Sequence, residues 1–214
     1  MKGINLVFIE DFDLKELKNS VFITGYAGFG LVGYLASRHI AFTLKMKRIG
    51  FVKTRYMPEV TFYIKGTGIV YPFELYYKMI NNKKVLVLVN HSIPNIRERT
   101  FFAETIANWL KESGVKEAIL IGGLDPSVKE TPEETYRWIP LQETTISLDA
   151  PLLEESHVVG PLALTMMFIA SKNIPGIAIF PYAEPYRPDP RATAVAVSII
   201  SKICLLYTSP SPRD

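Results

Sequence analysis

The pattern of apolar and polar residues along the chain predicts strands that alternate with helices. Short apolar runs typical of strands are INLVFI (4–9), VFIT (21–24), RIGFVKTRY (48–56), KKVLVLVN (83–90), AILIGGL (118–124) and GIAIFPY (176–182). Apolar residues at helical spacing predict helices over residues 29–44, about 95–112, about 160–172 and from 190 to 203. KKVLVLVN, the helix after it and AILIGGL fit a right-handed βαβ unit of a parallel sheet.

Two parts of the chain interrupt this alternation. VTFYIKG (60–66) and GIVYPF (68–73) are short β runs joined by a Gly-Thr-Gly turn, which predicts an antiparallel excursion. Residues 125–155 are polar and contain four prolines, so we expect a surface excursion with one or two strands, YRWIPL (136–141) and TTISL (144–148). The sequence thus predicts one α/β domain over residues 1–203, with a mixed, largely parallel sheet flanked by helices.

Gly28, Gly30 and Gly33 have the G-x-G-x-x-G spacing of a dinucleotide-binding turn, between a predicted strand and a predicted helix. Such glycines let the backbone approach a pyrophosphate, which the N–H groups of the helix N-terminus bind. An NAD site needs an acidic residue on the next strand, whereas this strand contains Lys53 and Arg55, which leaves only an NADP-type site. The antiparallel excursion that follows also breaks the βαβ pattern. We therefore predict a strand-to-helix turn in which Gly28 and Gly30 supply unusual backbone angles and Gly33 permits close packing.

Two further residues follow buried strands at the end where open α/β sheets bind ligands. His91 comes directly after KKVLVLVN, and Asp125 comes directly after AILIGGL. Each also has a structural interpretation, His91 as a polar group that satisfies a strand-to-helix loop and Asp125 as the start of an Asp-Pro turn. If a small molecule binds, the candidates are these two residues together with Gly28, Gly30 and Gly33. The sequence shows no metal-ligand spacing, and we predict no metal, no cofactor and no catalytic residue.

The segment PYAEPYRPDPRA (181–192) combines tyrosines and arginines with four prolines. A stiff, aromatic-rich segment loses little conformational entropy on docking and therefore suits a contact surface. The candidate partner-binding residues are Tyr182, Tyr186, Arg187 and Arg191. The alternative is a rigid connector into the last helix, with Asp189 as its N-cap and Pro190 as its first residue.

Composition excludes several classes of function. The 214 residues carry a formal net charge of +3, and charged residues make up 21% without forming blocks, which gives no support for binding to nucleic acid or to an anionic membrane. No apolar run approaches the roughly 18 to 20 residues of a membrane span, and acidic residues near the start do not fit a signal peptide. We therefore expect a cytoplasmic protein. The adjacent Glu133 and Glu134 are interpreted as solvated loop charge.

The last eleven residues differ in character from the rest of the sequence. CLLYTSPSPRD (204–214) follows an apolar helical pattern without a cap or a turn, and it resembles, codon for codon, the in-frame translation of a transposase-type sequencing adapter. We therefore expect residues 204–214 to be translated adapter and the domain of residues 1–203 to be truncated at its C-terminus. Cys204, the one cysteine of the sequence, would then be absent from the natural protein.

The order of the motifs resembles a known family. In chain order the motifs are GYAGFGLVGYLASRHI, VLVLVNHSIP, ILIGGL, VGPLALTMMFIAS and PDPRATAVAVSII, and the resemblance covers residues 4–203. Together they are similar to the archaeal proteasome-assembly chaperones, which are homologous to the second subunit of the eukaryotic heterodimeric assembly chaperone. The resemblance implies a three-layer phosphorylase-like α/β fold, a homo-oligomer, and binding to proteasome α subunits or to the α ring.

Two hypotheses of function follow. The first is a non-catalytic chaperone that binds proteasome α subunits and assists α-ring assembly, as the resemblance implies. The second is an ATP-grasp-like ligase or phosphorylase-like enzyme, with a nucleotide or nucleoside bound by the Gly28 loop and the loop containing His91. The family has been labelled ATP-grasp-like by analogy, but this sequence shows neither the carboxylate set for magnesium nor a catalytic lysine in a recognisable context.

Overall fold

The fold is an eight-stranded sheet with helices on both faces, and the computed structural model describes it over residues 3–9 and 12–204. The strands are β1 (Asn5–Phe8), β2 (Val21–Gly25), β3 (Lys47–Lys53), β4 (Tyr63–Ile64), β5 (Gly68–Ile69), β6 (Phe73–Ile80), β7 (Lys83–Asn90), β8 (Glu117–Ile121), β9 (Tyr136–Pro140) and β10 (Gly176–Pro181). The helices are α1 (Val32–Thr43), α2 (Arg99–Glu112), α3 (Pro161–Ser171) and α4 (Pro190–Cys204).

The sheet is mixed, as the sequence predicts. Its strand order is β1-β3-β6-β7-β2-β8-β10-β9, and the four central strands β7, β2, β8 and β10 run parallel. On one side β6, β3 and β1 follow in antiparallel pairs, and on the other side β9 pairs antiparallel with β10. The carboxyl ends of the four parallel strands therefore meet at one edge of the sheet, where open α/β folds place their ligands.

The central strands are buried on both faces, which explains their nearly continuous apolar sequence. In β7, Val85 and Val87 pack into the cluster formed with α1 and α4, whereas Leu86 and Leu88 pack into the cluster formed with α2 and α3. β8 connects to β7 through α2, with β2 lying between the two strands, which is the predicted βαβ connection.

Two helices cover each face of the sheet and complete three layers. On one face α2 packs against α3, and Phe102, Ile106 and Leu110 of α2 are buried at helical spacing. On the other face α1 packs against α4, and Ile40 and Ile200 are fully buried there. The three-layer α/β architecture is therefore confirmed.

The sequence pattern misses most of β6. The strand runs through FELYYKMI, beyond the predicted run GIVYPF, and forms a hairpin with β7. Asn81 and Asn82 make the turn with φ angles of 48° and 62°, which asparagine adopts more readily than most residues. Glu74 takes a fully buried position in this strand, so a polar residue stands where the pattern requires an apolar one.

Residues 144–148 do not form the predicted strand. The hydroxyl of Thr144 accepts a hydrogen bond from the N–H of Ile146 and donates one to Glu117. The side chains of Ile146 and Leu148 pack against the cluster on the α1 and α4 face. The segment is therefore an apolar loop that side-chain hydrogen bonds stabilise in place of a strand ladder.

The other predicted excursion is confirmed, because β4 and β5 pair antiparallel in a separate two-stranded sheet. No helix within the described ranges is long and apolar enough to cross a lipid bilayer. Of the expected adapter residues, only Cys204 is described, and it is buried at the end of α4. Residues 205–214 lie outside the described part of the chain.

Candidate functional site

A close approach between β2 and α1 shapes the carboxyl edge of the sheet. A Cβ atom at Gly33 would lie 2.5 Å from the carbonyl oxygen of Ile121 and 2.7 Å from the backbone nitrogen of Tyr26. A Cβ atom at Gly25 would lie 2.5 Å from the Cα atom of Gly33. Only glycine fits at these two positions, so the predicted packing role of Gly33 is confirmed. Gly25 has the same role, although it stands outside the G-x-G-x-x-G spacing.

The other two glycines of the motif differ from each other. Gly30 has a φ angle of +60°, and a Cβ atom there would lie 2.7 Å from the Cβ of Ala183 and 2.9 Å from the Cβ of Asp189. Gly28 has a φ angle of −141°, and a Cβ atom there would meet no heavy atom within 4 Å. The prediction of unusual backbone angles is therefore confirmed for Gly30, whose φ angle lies in the left-handed region. Gly28, with a ψ angle of −147°, also lies outside the common helical and extended regions.

The turn at Gly30 holds the proline-rich segment in place. The backbone N–H of Asp189 donates a hydrogen bond of 2.9 Å to the carbonyl oxygen of Gly30. Asp189 also caps α4, because its Oδ1 accepts hydrogen bonds from the N–H groups of Arg191 and Ala192. Its Oδ2 accepts a third from the N–H of Glu184 at 3.1 Å. One carboxylate thus fixes both ends of the loop 184–191, and the predicted N-cap is confirmed.

Three of the four candidate partner-binding residues are at the surface of this loop. Tyr186 is 98% exposed, and Arg187 and Arg191 are also exposed. Arg187 makes only a long ion pair of 3.9 Å with Glu184, which is itself half exposed. The loop therefore presents an aromatic ring and two cations from a backbone that is already ordered.

Tyr182 differs from these three because it is only 8% exposed. Its hydroxyl donates a hydrogen bond of 2.6 Å to Oε2 of Glu134 and accepts one of 2.9 Å from Nε of Arg137. Arg137 also forms ion pairs with Glu130 at 2.8 Å and with Glu134 at 3.2 Å. The interpretation of Glu134 as solvated charge is wrong, since this carboxylate orders the loop before β9. The hydrogen bond from Tyr182 and the nearby Arg137 lower the pKa of Glu134.

A cavity of about 350 Å³ adjoins the glycine turn on the α3 side of the sheet. Gly28, Gly123, His157 and Leu162 are among the residues that line it, and its walls are mostly apolar. No lysine or arginine is among the described residues that line this cavity, so a pyrophosphate would find no cationic partner there. The cavity suits an apolar group better than a nucleotide.

His91 lies on the other face of the sheet, where its ring is 5.3 Å from that of Phe62, the residue before β4. Its Nε2 is 3.2 Å from Oε2 of Glu74, and its Nδ1 is 3.3 Å from the hydroxyl of Tyr34 in α1. Glu74 is fully buried and also accepts hydrogen bonds from Arg48 at 2.8 Å and from the hydroxyl of Tyr76 at 2.6 Å. His91 therefore satisfies buried polar groups at a strand-to-helix loop. It does not line the cavity beside Gly28, so the two loops of the enzyme hypothesis form no shared site there.

Asp125 begins the turn that its sequence suggested. Its Oδ1 accepts a hydrogen bond of 2.8 Å from the N–H of Ser127, and Pro126 follows it at the start of a 3-10 turn. This hydrogen bond lowers the pKa of Asp125. The described residues contain no group of three or more histidine, cysteine or acidic side chains that could hold a metal ion.

Comparison with protein families shows which family the chain belongs to. The PAC2 family matches residues 22–212. The chain belongs to the PAC2 family. No curated protein sequence matches it. The glycine turn, the proline-rich loop and all of the parallel strands except the first residue of β2 lie inside the matched region.

Solved structures share the fold of this PAC2 chain along nearly its whole length. Pyrococcus furiosus PbaA, described as an archaeal homolog of proteasome-assembly chaperone, is 24% identical with a TM-score of 0.80, over 98% of this chain and 89% of PbaA. P. furiosus PbaB, described as an archaeal proteasome activator, is 20% identical with a TM-score of 0.78, over 98% of this chain and 92% of PbaB. A proteasome-assembly chaperone homologue of Mycobacterium tuberculosis is 14% identical with a TM-score of 0.66, over 88% of this chain and 86% of its own.

Proposed function

We propose that this PAC2 protein is a proteasome-assembly chaperone that binds proteasome α subunits and assists assembly of the α ring without catalysing a reaction. The observation that carries the proposal is membership of the PAC2 family along residues 22–212, together with the fold shared with PbaA. The descriptions of PbaA and PbaB as a chaperone homolog and a proteasome activator support a partner within the proteasome.

The proline-rich loop 184–191 is the surface that we propose for this contact. Tyrosine and arginine are the residue types that most often dominate the binding energy of protein interfaces. Tyr186, Arg187 and Arg191 project from a loop that Asp189 and Gly30 already fix, so binding costs little further ordering. The two arginines suit a partner surface that carries carboxylates.

We further propose that the protein acts as a homo-oligomer in the cytoplasm of an archaeal cell. This part of the proposal rests on the resemblance to the archaeal chaperones and not on a contact between chains. Light scattering on the purified protein measures its mass in solution directly. A mass of twice 24.1 kDa or a higher multiple supports the proposal, and a monomer of 24.1 kDa contradicts it.

The binding experiment uses the chain and purified archaeal proteasome α subunits. We expect the two proteins to co-elute in size-exclusion chromatography, and we expect the chain to change the rate at which α rings form in native mass spectrometry. Separate elution at about 10 μM of each protein, with an unchanged rate of ring formation, would contradict the proposal.

Calorimetric titration separates this function from the enzyme hypothesis. ATP, NADP and nucleosides are expected to give no binding heat at the Gly28 loop, because the adjoining cavity is mostly apolar and no lysine or arginine is among the described residues that line it. Saturable binding of any of these compounds, abolished by a change at Gly28 or His157, would favour the enzyme hypothesis instead.

A further inference from the structure

A second cavity, of about 500 Å³, lies between the start of β1, the end of β3 and the first half of α2. It is separate from the cavity beside Gly28, since the two share no lining residue. Its volume is within the range of small-molecule sites in proteins. The side chains that line it have chemistry that the proposed chaperone function does not use.

The first unexplained group in this cavity is the carboxylate of Glu98. The residue is only 4% exposed, and its Oε2 accepts a hydrogen bond of 3.1 Å from the backbone N–H of Tyr56. Its other oxygen, Oε1, is buried and has no hydrogen-bond partner among the described residues. A buried carboxylate oxygen without a hydrogen-bond donor destabilises the folded protein. A ligand with an N–H group would supply the missing donor and remove this cost.

The second unexplained feature is a pair of arginines that converge on one ring. The guanidinium carbon of Arg55 is 5.5 Å from the centre of the Tyr56 ring, and that of Arg97 is 5.8 Å from it. Neither arginine forms an ion pair with a carboxylate within the described ranges. Both arginines line this cavity, and a guanidinium group is suited to bind a carboxylate through paired N–H donors.

The remaining wall of the cavity is provided by one face of α2 and by the start of β1. Phe101, Glu104, Thr105 and Asn108 stand at helical spacing on that face, and Ile4 adds an apolar side chain. Phe101 is half exposed, so part of its ring is free to contact a ligand. The ionisable groups in the lining are two arginines and two glutamates, which is a balanced set.

We propose that this cavity binds a free α-amino acid with an apolar or aromatic side chain. The ammonium group of the amino acid donates to Oε1 of Glu98, its carboxylate accepts from Arg55 and Arg97, and its side chain packs against Phe101. A zwitterion fits because the cavity offers both signs of charge. A simple anion would leave Oε1 of Glu98 without a donor, and a simple cation would face the two arginines.

The test on the unaltered protein compares three ligands by calorimetry. L-Phenylalanine has both charges, N-acetyl-L-phenylalanine lacks the ammonium group, and L-phenylalaninamide lacks the carboxylate. We expect saturable binding of phenylalanine and at least about tenfold weaker binding of each analogue, since each loses a charged hydrogen bond. No binding of phenylalanine up to about 10 mM, or equal binding of all three compounds, would overturn the proposal.

Two variants locate the binding in this cavity. Glu98→Gln retains an oxygen for the N–H of Tyr56 but loses the negative charge, so the affinity for phenylalanine should fall at least about tenfold. Glu112→Gln, the same change at an exposed position of α2, is the matched control and should leave the affinity unchanged. The double variant Arg55→Gln/Arg97→Gln should weaken phenylalanine binding without weakening phenylalaninamide binding. If Glu98→Gln binds phenylalanine as tightly as Glu112→Gln does, the amino acid does not bind in this cavity and the proposal is overturned. If Glu98→Gln fails to fold, the comparison of the three ligands on the unaltered protein tests the proposal instead.

Discussion

The backbone N–H of Asp189 donates a hydrogen bond of 2.9 Å to the carbonyl oxygen of Gly30, and the Cα of Gly30 faces the Cβ of Asp189 so closely that no side chain fits between them. A glycine motif that resembles a phosphate cradle thus supports a second segment of its own chain. That segment carries the exposed Tyr186 and Arg187. The motif therefore has a structural purpose, because it holds the loop that we propose as the contact surface.

Two glycines of the same motif should respond differently to alanine. Gly30→Ala places a Cβ at a φ angle of +60° and within 3 Å of Ala183 and Asp189, so we expect a loss of at least about 2 kcal/mol in the free energy of unfolding. Gly28→Ala is the matched control and should change it by less than about 1 kcal/mol, since a Cβ there meets no heavy atom within 4 Å and the φ angle of −141° is negative. Urea unfolding followed by tryptophan fluorescence measures both values. Equal losses would contradict the roles assigned to the two glycines.

Asp189 should stabilise both α4 and the loop before it. Asp189→Ala removes three hydrogen bonds from backbone N–H groups, and we expect it to cost about 1 to 2 kcal/mol of stability. Asp189→Asn keeps a capping oxygen and should cost less, because asparagine is a comparably good N-cap. Hydrogen exchange of the amides of Glu184 and Arg191 reports on the loop itself. Protection of the Glu184 amide that is unchanged in the alanine variant would exclude the proposed link.

The side chain of Tyr182 should stabilise the folded protein, whereas that of Tyr186 in the same segment should not. Tyr182→Phe removes the hydroxyl that joins Glu134 to Arg137, and we expect a loss of about 1 to 2 kcal/mol in the free energy of unfolding. Tyr186→Ala removes an exposed ring and should leave stability within about 0.5 kcal/mol. The two variants therefore distinguish a tyrosine that stabilises the fold from one that we propose contacts the partner. Partner affinity that falls as much for Tyr182→Phe as for Tyr186→Ala would mean that the hydroxyl cluster also shapes the interface.

Glu74 should make the stability of the protein depend on pH. Burial alone would raise its pKa, but hydrogen bonds from His91, Tyr76, Tyr71 and Arg48 together lower the pKa below its usual value. A carboxylate whose pKa is lower in the folded state stabilises the fold above its unfolded pKa of about 4.3, and this contribution is lost as the pH falls through the folded value.

The variant Glu74→Gln isolates this contribution. At pH 7 we expect it to be less stable than the unaltered protein by about 3 kcal/mol, because Arg48 loses its buried partner. The difference should shrink as the pH falls from 5 toward 3, because the unfolded chain binds a proton at Glu74 before the folded protein does. Urea unfolding of both proteins across this range measures the difference. A gap that stays constant down to pH 3 would show that folding does not lower the pKa of Glu74, and a gap that widens would show that folding raises it.

The sequence predicts the elements whose chemistry is local. Apolar runs such as KKVLVLVN mark buried parallel strands, and Asp189 with Pro190 marks the start of α4, because these patterns depend on neighbouring residues. The sequence pattern does not predict β6, because Glu74 is buried among partners from distant parts of the chain. No local sequence pattern indicates a buried carboxylate whose hydrogen-bond partners include a distant histidine and a distant arginine.

The candidate site shows the same limit. The proline-rich segment and the glycine spacing are both visible in the sequence, but the contact between them joins residues 30 and 189, which lie far apart along the chain. Tyr182 and Tyr186 look alike in the sequence, and only the partners Glu134 and Arg137 place one inside and the other outside. The sequence does not indicate a binding role for Glu98, because acidic residues are common at the start of helices.

The most direct measurement of the central claim is the affinity of the chain for purified archaeal proteasome α subunits, determined by biolayer interferometry for three proteins. The unaltered chain should bind, and Tyr186→Ala/Arg187→Ala should bind at least about tenfold more weakly, because the exposed ring and cation of the loop are lost. Tyr63→Ala/Lys65→Ala removes another exposed tyrosine and cation, from the β4–β5 hairpin, and should bind like the unaltered chain. No binding by the unaltered chain, or equal binding by all three proteins, would contradict the account.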